Sequence, residues 1–212
     1  MFCKHLPLAL LAAGLLLGTT GCKDDDAPEP ANEEELITTV RLTLTPTGSS
    51  SSIVVEWQDL DGDGGSDPTV DNLTLVEDQS YTYTIEFLNE AESPTEDITE
   101  EIEEEADEHQ VFYFVGTQAG AAFGDGGNVT GNIAVTDTDS RGCQLGLAGT
   151  VTFENIGTTT LRAVLRHQPG STGKESVNCS TTPGGNVNLG STDVDVAFPL
   201  TVIANLVASP AN

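Results

Sequence analysis

Two histidines, a set of regularly spaced carboxylates and two cysteines are the groups in this chain whose types and spacing could do chemistry. Of its three histidines, His5 lies near the N-terminus, which leaves His109 and His167. Glu105 and His109 stand four apart at the end of an acidic segment, so on a helix they share a face, at a spacing that suits two metal ligands. His167 closes the run Leu161-Arg-Ala-Val-Leu-Arg166. In a strand it has the parity of Leu161, Ala163 and Leu165 and faces the buried side near the strand end. If that strand end meets the helix end, Glu105, His109 and His167 make a set for Zn²⁺, Cu²⁺ or Fe. The plainer reading is that both imidazoles are hydrogen-bonded structural residues.

Asp59, Asp61 and Asp63, followed by Gly64 and then Asp67, resemble the start of a calcium loop of the D-x-D-x-D-G kind. An EF-hand would carry Glu at its twelfth position, where Val70 stands, so that form of loop is excluded. The oxygens of Asp59, Asp61, Asp63 and Asp67 could still hold Ca²⁺ between two strands. The alternative is a polar hairpin turn that uses Asp and Gly for their backbone tolerance. Cys143 and Cys179 are the pair expected to remain in the folded body. In an oxidising compartment a disulfide between them is the first expectation, and a two-cysteine metal site is the weaker one, because no C-x-x-C spacing is present. No G-x-S-x-G elbow occurs, and neither histidine has a Ser or Asp neighbour in a recognisable catalytic setting. The chain therefore reads as a binding protein and not as an enzyme.

The elements that must position these groups are mostly strands. Val40, Leu42 and Leu44 alternate with Arg41, Thr43 and Thr45, and Tyr81, Tyr83, Ile85 and Phe87 alternate with Thr82, Thr84 and Glu86. Further strands are predicted at Ile53 to Trp57, Leu73 to Val76, Val111 to Val115, Asn132 to Thr136, Leu147 to Phe153, Leu161 to His167 and Val194 to Val202. Together they predict a mainly β chain: a single antiparallel, immunoglobulin-like β-sandwich. Pro199 places the last strand at an edge or at a bulge. One helix is predicted, roughly Pro94 to Glu108, from a capping box at Ser93-Pro-Thr-Glu96 and apolar residues at Ile98, Ile102 and Ala106. Its carboxylates persist to the C-terminal end, where the helix dipole opposes them and a bound cation would relieve them.

The N-terminus reads as an address. Lys4 and His5 precede the apolar run Leu6 to Leu17, and small residues from Gly18 to Gly21 precede Cys22, the pattern of a bacterial lipoprotein signal. The apolar run is too short for a permanent span. Residues 1–21 are then the signal peptide, with Cys22 as the lipidated terminus. Lys23, Asp24, Asp25 and Asp26 resemble the acidic signal that sends lipoproteins of the Bacteroidota to the outer face of the outer membrane. Residues 22–32, with Pro28 and Pro30, form an acidic linker; residues 33–205 form the sandwich and 206–212 a tail. The chain carries 7 basic against 34 acidic residues, a formal net charge of −27. Loss of the leader removes Lys4 and no acid. Such a surface repels phosphate backbones, so nucleic acid is excluded as a partner, and it attracts cations or a basic partner.

The stretch Leu88-Asn-Glu90, the acidic segment Ser93 to Gln110 ending in His109-Gln110, Leu165-Arg-His-Gln-Pro169 and Asp193-Val-Asp-Val-Ala-Phe198 resemble a group of small flavobacterial lipoproteins. Its members carry the label "type 1 periplasmic binding fold superfamily protein". The resemblance runs from about Glu33 to Val202 and implies an outer-membrane lipoprotein, without a defined activity. The fold named in that label requires two α/β lobes with repeated βαβ units, which a chain with one helix among strands does not offer. The expected function is a surface-exposed outer-membrane lipoprotein acting as a binding or accessory module. It would be held on the membrane by its lipid and would capture a divalent metal ion for an outer-membrane transporter. The competing expectation is a structural or adhesive surface lipoprotein without a small ligand. Oligomeric state is not legible in the sequence.

Overall fold

Val40, Leu42 and Leu44 turn into the core while Arg41, Thr43 and Thr45 face outward, and the same two-residue period governs Tyr81 to Phe87. The structure is a computed structural model that describes residues 35–62, 64–116, 118–119, 122–124 and 129–206, with backbone alone for 118–119 and 122–124. The leader, Cys22, Lys23, Asp24, Asp25, Asp26 and Asp63 lie outside the described residues.

The described elements, in chain order, begin with β1 (Thr39–Pro46), β2 (Ile53–Gln58), β3 (Thr69–Val70), β4 (Leu73–Val76), β5 (Ser80–Asn89), β6 (Glu96–Asp97) and α1 (Ile98–Glu104). They continue with β7 (His109–Val115), β8 (Gln118–Ala119), β9 (Ala122–Gly124), β10 (Thr130–Val135), β11 (Ala148–Phe153) and β12 (Gly157–His167). A 3₁₀ turn at Lys174–Ser176 precedes β13 (Ser191–Ile203). All nine strands expected from the alternation are present, and four short ones, β3, β6, β8 and β9, join them. One sheet runs β3-β2-β1-β5-β11-β10-β9, with β6 added to β5, and the other runs β4-β13-β12-β7-β8. Phe87, Ile85, Leu42 and Phe153 of the first sheet share one core with Leu75, Phe198, Leu165 and Val111 of the second, a β-sandwich. Among the described residues the pairing is antiparallel with one exception: β13 runs parallel to β4, Leu200 opposite Leu73, a departure from the antiparallel expectation at that edge.

The helix is shorter than expected and starts later. Ser93–Pro94 is a cis peptide and no part of α1. Glu96 and Asp97 instead pair with Asn89 and Leu88, which lengthens the sheet at the expense of a first helical turn. The cap is Asp97, whose carboxylate accepts from Thr99 N at 3.0 Å. Ile98 and Ile102 are buried as expected, each worth roughly 1.5 to 3 kcal/mol. Beyond Glu104 the chain turns through 105–108 directly into β7.

β13 carries a bulge. Leu165 of β12 pairs with Val194, yet Arg166 pairs with Thr192, so Asp193 is the extra residue with no partner across the ladder. Pro199 sits away from that bulge, opposite Thr160, on a stretch of β13 whose other edge is free because β4 begins pairing at Leu200. Gly190, at φ +66°, leads into β13; a Cβ there would lie 1.9 Å from the carbonyl oxygen of His167, so no side chain fits.

Candidate metal centre

His109 opens β7 and His167 closes β12, and in the antiparallel register the two residues are direct partners. Directly opposed side chains on one face lie about 4.5 to 5.5 Å apart at Cβ, so the imidazoles meet. Their centroids are 4.5 Å apart and their planes 9° from parallel. Gln168 N donates to Glu108 O at 2.6 Å, which ties the end of β12 to the turn behind α1. The strand end and the helix end therefore meet, as the sequence requires of a shared site. Glu105 Oε2 lies 3.8 Å from His109 Nδ1, and Glu105, His109 and His167 each offer a ligand atom within 4.8 Å of the others.

Two acids that the spacing did not point to sit deeper. Glu35 Oε1 is 3.2 Å from His109 Nε2 and Asp193 Oδ2 is 4.0 Å from the same nitrogen. The side chains are 7% exposed for Glu35, 1% for Asp193 and 0% for His109. Alternation along β13 would put Asp193 outside with Asp195; the bulge turns it inward. Glu35 arrives from the segment before β1, held by Thr38 N donating to Leu88 O and Asp59 N donating to Thr38 O. On the outer side Glu108 Oε2 lies 3.4 Å from His167 Nε2.

The inner atoms are left without complete hydrogen bonds. Glu35 Oε2, both oxygens of Asp193, His109 Nε2 and His167 Nδ1 are buried with no hydrogen-bond partner. Glu35 Oε1 is close enough to His109 Nε2 for an ion pair, but off the line of a well-formed N–H···O bond. Electrostatics reflect the crowding. Burial pushes the Asp193 carboxyl up to about 6, the charge of Glu35 adds to this, and the two histidines oppose it. Burial would also raise Glu35, but the close approach and charge of His109 outweigh it and hold Glu35 below the usual carboxylate range. Burial would lower His109, but Glu35, Asp193 and the Glu105 carbonyl outweigh it and raise it.

The disulfide supports this centre from beneath. Cys143 and Cys179 are bonded, with Cα atoms 4.7 Å apart. Their sulfurs are thus committed to each other, which removes the two-cysteine metal alternative. The loop they close presents Lys174, wholly buried, whose Nζ donates at 2.7 Å to the carbonyls of both Ala106 and His109 and lies 3.4 Å from Asp139 Oδ2. Asp139 in turn accepts from the amides of Cys143 at 2.8 Å and Arg141 at 2.9 Å.

The aspartate loop is arranged differently. Asp59 Oδ1 accepts from Gly62 N at 2.9 Å and Asp61 Oδ2 from Ser66 N at 3.0 Å, the behaviour of turn-forming aspartates. The Ser66 amide leads the interactions that hold Asp61 below its usual range. Asp67 is exposed. Among the described residues, no three loop carboxylates gather at ligand spacing.

Chemically, the inner set suits a first-row ion. Ligands about 2.1 Å from a tetrahedral ion stand about 3.4 Å from one another. Glu35 and His109 already meet that spacing and Asp193 needs a small approach. The stacked rings keep their in-plane lone pairs in parallel planes, so one ion takes His109 and His167 together only after a ring turns. Glu35, His109 and Asp193 are therefore the more coherent ligand set. Comparison with known proteins finds no matching family model, no similar curated protein and no similar solved structure.

Proposed function

We propose that the protein is a surface-exposed outer-membrane lipoprotein, anchored through Cys22, that acts as a binding or accessory module and captures a divalent metal ion. Glu35, His109 and Asp193 supply the ligands, His167 and Glu105 stand beside them, and the ion is passed to an outer-membrane transporter. The observation that carries the reading is the buried, unpartnered set of oxygens on Glu35 and Asp193 around His109 Nε2. Buried carboxylates without donors are costly, and a cation among them removes the cost. A mixed nitrogen and oxygen set favours Zn²⁺, Cu²⁺ or Fe over Ca²⁺, which takes six to eight oxygens.

Isothermal titration of the purified protein with Zn²⁺, Cu²⁺, Fe²⁺ and Ca²⁺ tests this. The expected result is one equivalent bound, weakened at least tenfold by His109→Ala or Asp193→Asn, the loss typical of disturbed ligation. Binding no tighter than about 0.1 mM, or about −5.5 kcal/mol, would overturn the metal role and leave the structural or adhesive reading. So would binding that is indifferent to both substitutions.

A further inference from the structure

The acids around His109 divide by exposure. Glu35 Oε2, both oxygens of Asp193 and Nε2 of His109 are sealed from solvent. Glu105 and Glu108 are open to it, with side chains 49% and 38% exposed. The His109 ring stands between the two sets: its Nε2 faces Glu35 and Asp193, and its Nδ1 lies 3.8 Å from Glu105 Oε2. Beside it, Glu108 Oε2 lies 3.4 Å from His167 Nε2. Each outer pair thus joins an acid reached by water to a buried imidazole, near the separation of about 3.4 Å that two ligands of one ion keep. His167 Nδ1 is buried with no partner, so no second hydrogen bond fixes that ring. Glu101, one helical turn before Glu105, is exposed and feels the charges of Glu35, Glu105 and His109.

A hydrated divalent ion does not enter a sealed set in one step. It must exchange its waters for ligands, and a bare charge in a dry interior is costly. Half-exposed carboxylates reach the ion while it still holds water and replace that water one ligand at a time. They do not store it. With the two rings stacked, an ion on the outer side engages one acid and one imidazole at once, whereas the inner side offers it Glu35, His109 and Asp193 together. We infer that Glu105 and Glu108, with Nδ1 of His109 and Nε2 of His167, form a transit subsite that takes a divalent ion from water and delivers it round the His109 ring to Glu35 and Asp193. The inference rests on the metal reading of the same centre and adds the route by which that centre fills. The way in is also the way out, so the subsite speeds capture and release alike and leaves the affinity to the inner ligands.

Stopped-flow mixing of the purified protein with Zn²⁺, with mag-fura-2 reporting the free ion, gives the rate of capture. Mixing the loaded protein with excess EDTA gives the rate of release. The measurements use about 0.15 M salt, at which exposed charges more than about 8 Å apart are largely screened. Glu105→Gln/Glu108→Gln is expected to slow capture and release each about tenfold, within the range that charge-lined clefts add to association, while the affinity moves less than about threefold. Glu103→Gln removes a carboxylate about half a turn round α1 from Glu105 and is expected to leave both rates unchanged. Capture as fast in the double variant as in the unaltered protein overturns the inference. Equal slowing by Glu103→Gln also overturns it, by making the effect one of net charge. So does a loss of affinity through faster release, since Glu105 or Glu108 is then a permanent ligand. Zn²⁺ held through His109 and Asp193 at rates indifferent to the two outer acids refutes this route alone. Absence of Zn²⁺ binding refutes the metal reading and the route with it.

Discussion

Lys174 Nζ donates at 2.7 Å to the backbone carbonyl of His109, so a lysine from the disulfide-closed loop fixes the residue at the heart of the candidate metal centre. Its ammonium is fully buried, and it also caps the Ala106 carbonyl behind α1 and faces Asp139. Truncating it to Lys174→Met takes this donor from two carbonyls and one of two cations from the buried Asp139 carboxylate, which keeps Arg141. The expected cost is about 3 to 5 kcal/mol, measured by urea unfolding. Zn²⁺ affinity should fall as well, because the start of β7 loses its support. Unchanged stability would show that the lysine is not held as described.

The disulfide closes a span of 36 residues. In the chain-entropy treatment such a loop contributes about 4 kcal/mol, so Cys143→Ser/Cys179→Ser should lower stability by about that amount. The same variant should bind Zn²⁺ more weakly without losing any ligand. A titration that is identical with and without reductant argues against the coupling.

In the metal-free protein, stability should decline as pH rises from about 5 to 8. Asp193 is raised to about 6 in the fold, so its contribution is present below its ordinary value and lost as pH passes through about 6. His109 is raised too, so its contribution fades at higher pH still. Glu35 is lowered and acts in the opposite sense, failing only as the pH falls through its depressed value. Glu101, Glu105, Glu108, His167 and Arg166 are the other charges near this group. A rise from 3.8 to about 6 corresponds to about 3 kcal/mol at most. Asp193→Asn should flatten the slope in urea melts across this range, and saturating Zn²⁺ should reverse it. A slope untouched by the substitution would remove Asp193 as its source.

Ile102 is completely buried between α1 and the sheet. Ile102→Ala should cost about 2 to 5 kcal/mol in denaturant unfolding. A cost below about 1 kcal/mol would mean that the helix is a removable cover, since surface substitutions fall in that range.

The strands were legible because alternation is a local property: every residue of Tyr81 to Phe87 reports its own face. The parity of His167 and the helical spacing of Glu105 and His109 likewise brought the outer half of the centre within reach. The inner half was not readable in this way. Asp193 alternates in phase with exposed Asp195, and what turns it inward is a one-residue slip against β12, which depends on Arg166 pairing with Thr192. Glu35 belongs to a run of glutamates, and only the folded chain brings it beside His109. The helix start failed for a related reason. Ser93-Pro-Thr-Glu96 satisfies the local rule for a cap, but Glu96 and Asp97 gain ladder bonds with β5 and the cap moves to Asp97.

The parallel pairing of β4 with β13 sets an order of events during biosynthesis. Leu73 waits for Leu200, and most of the chain must be made before it arrives. A nascent chain that lacks its last strand leaves β4 and one edge of β12 without their neighbour, and His109 without Asp193. Contacts between such distant positions form slowly, because the intervening loop must close first. Until β13 has been made, the two sheets therefore cannot close over their common core.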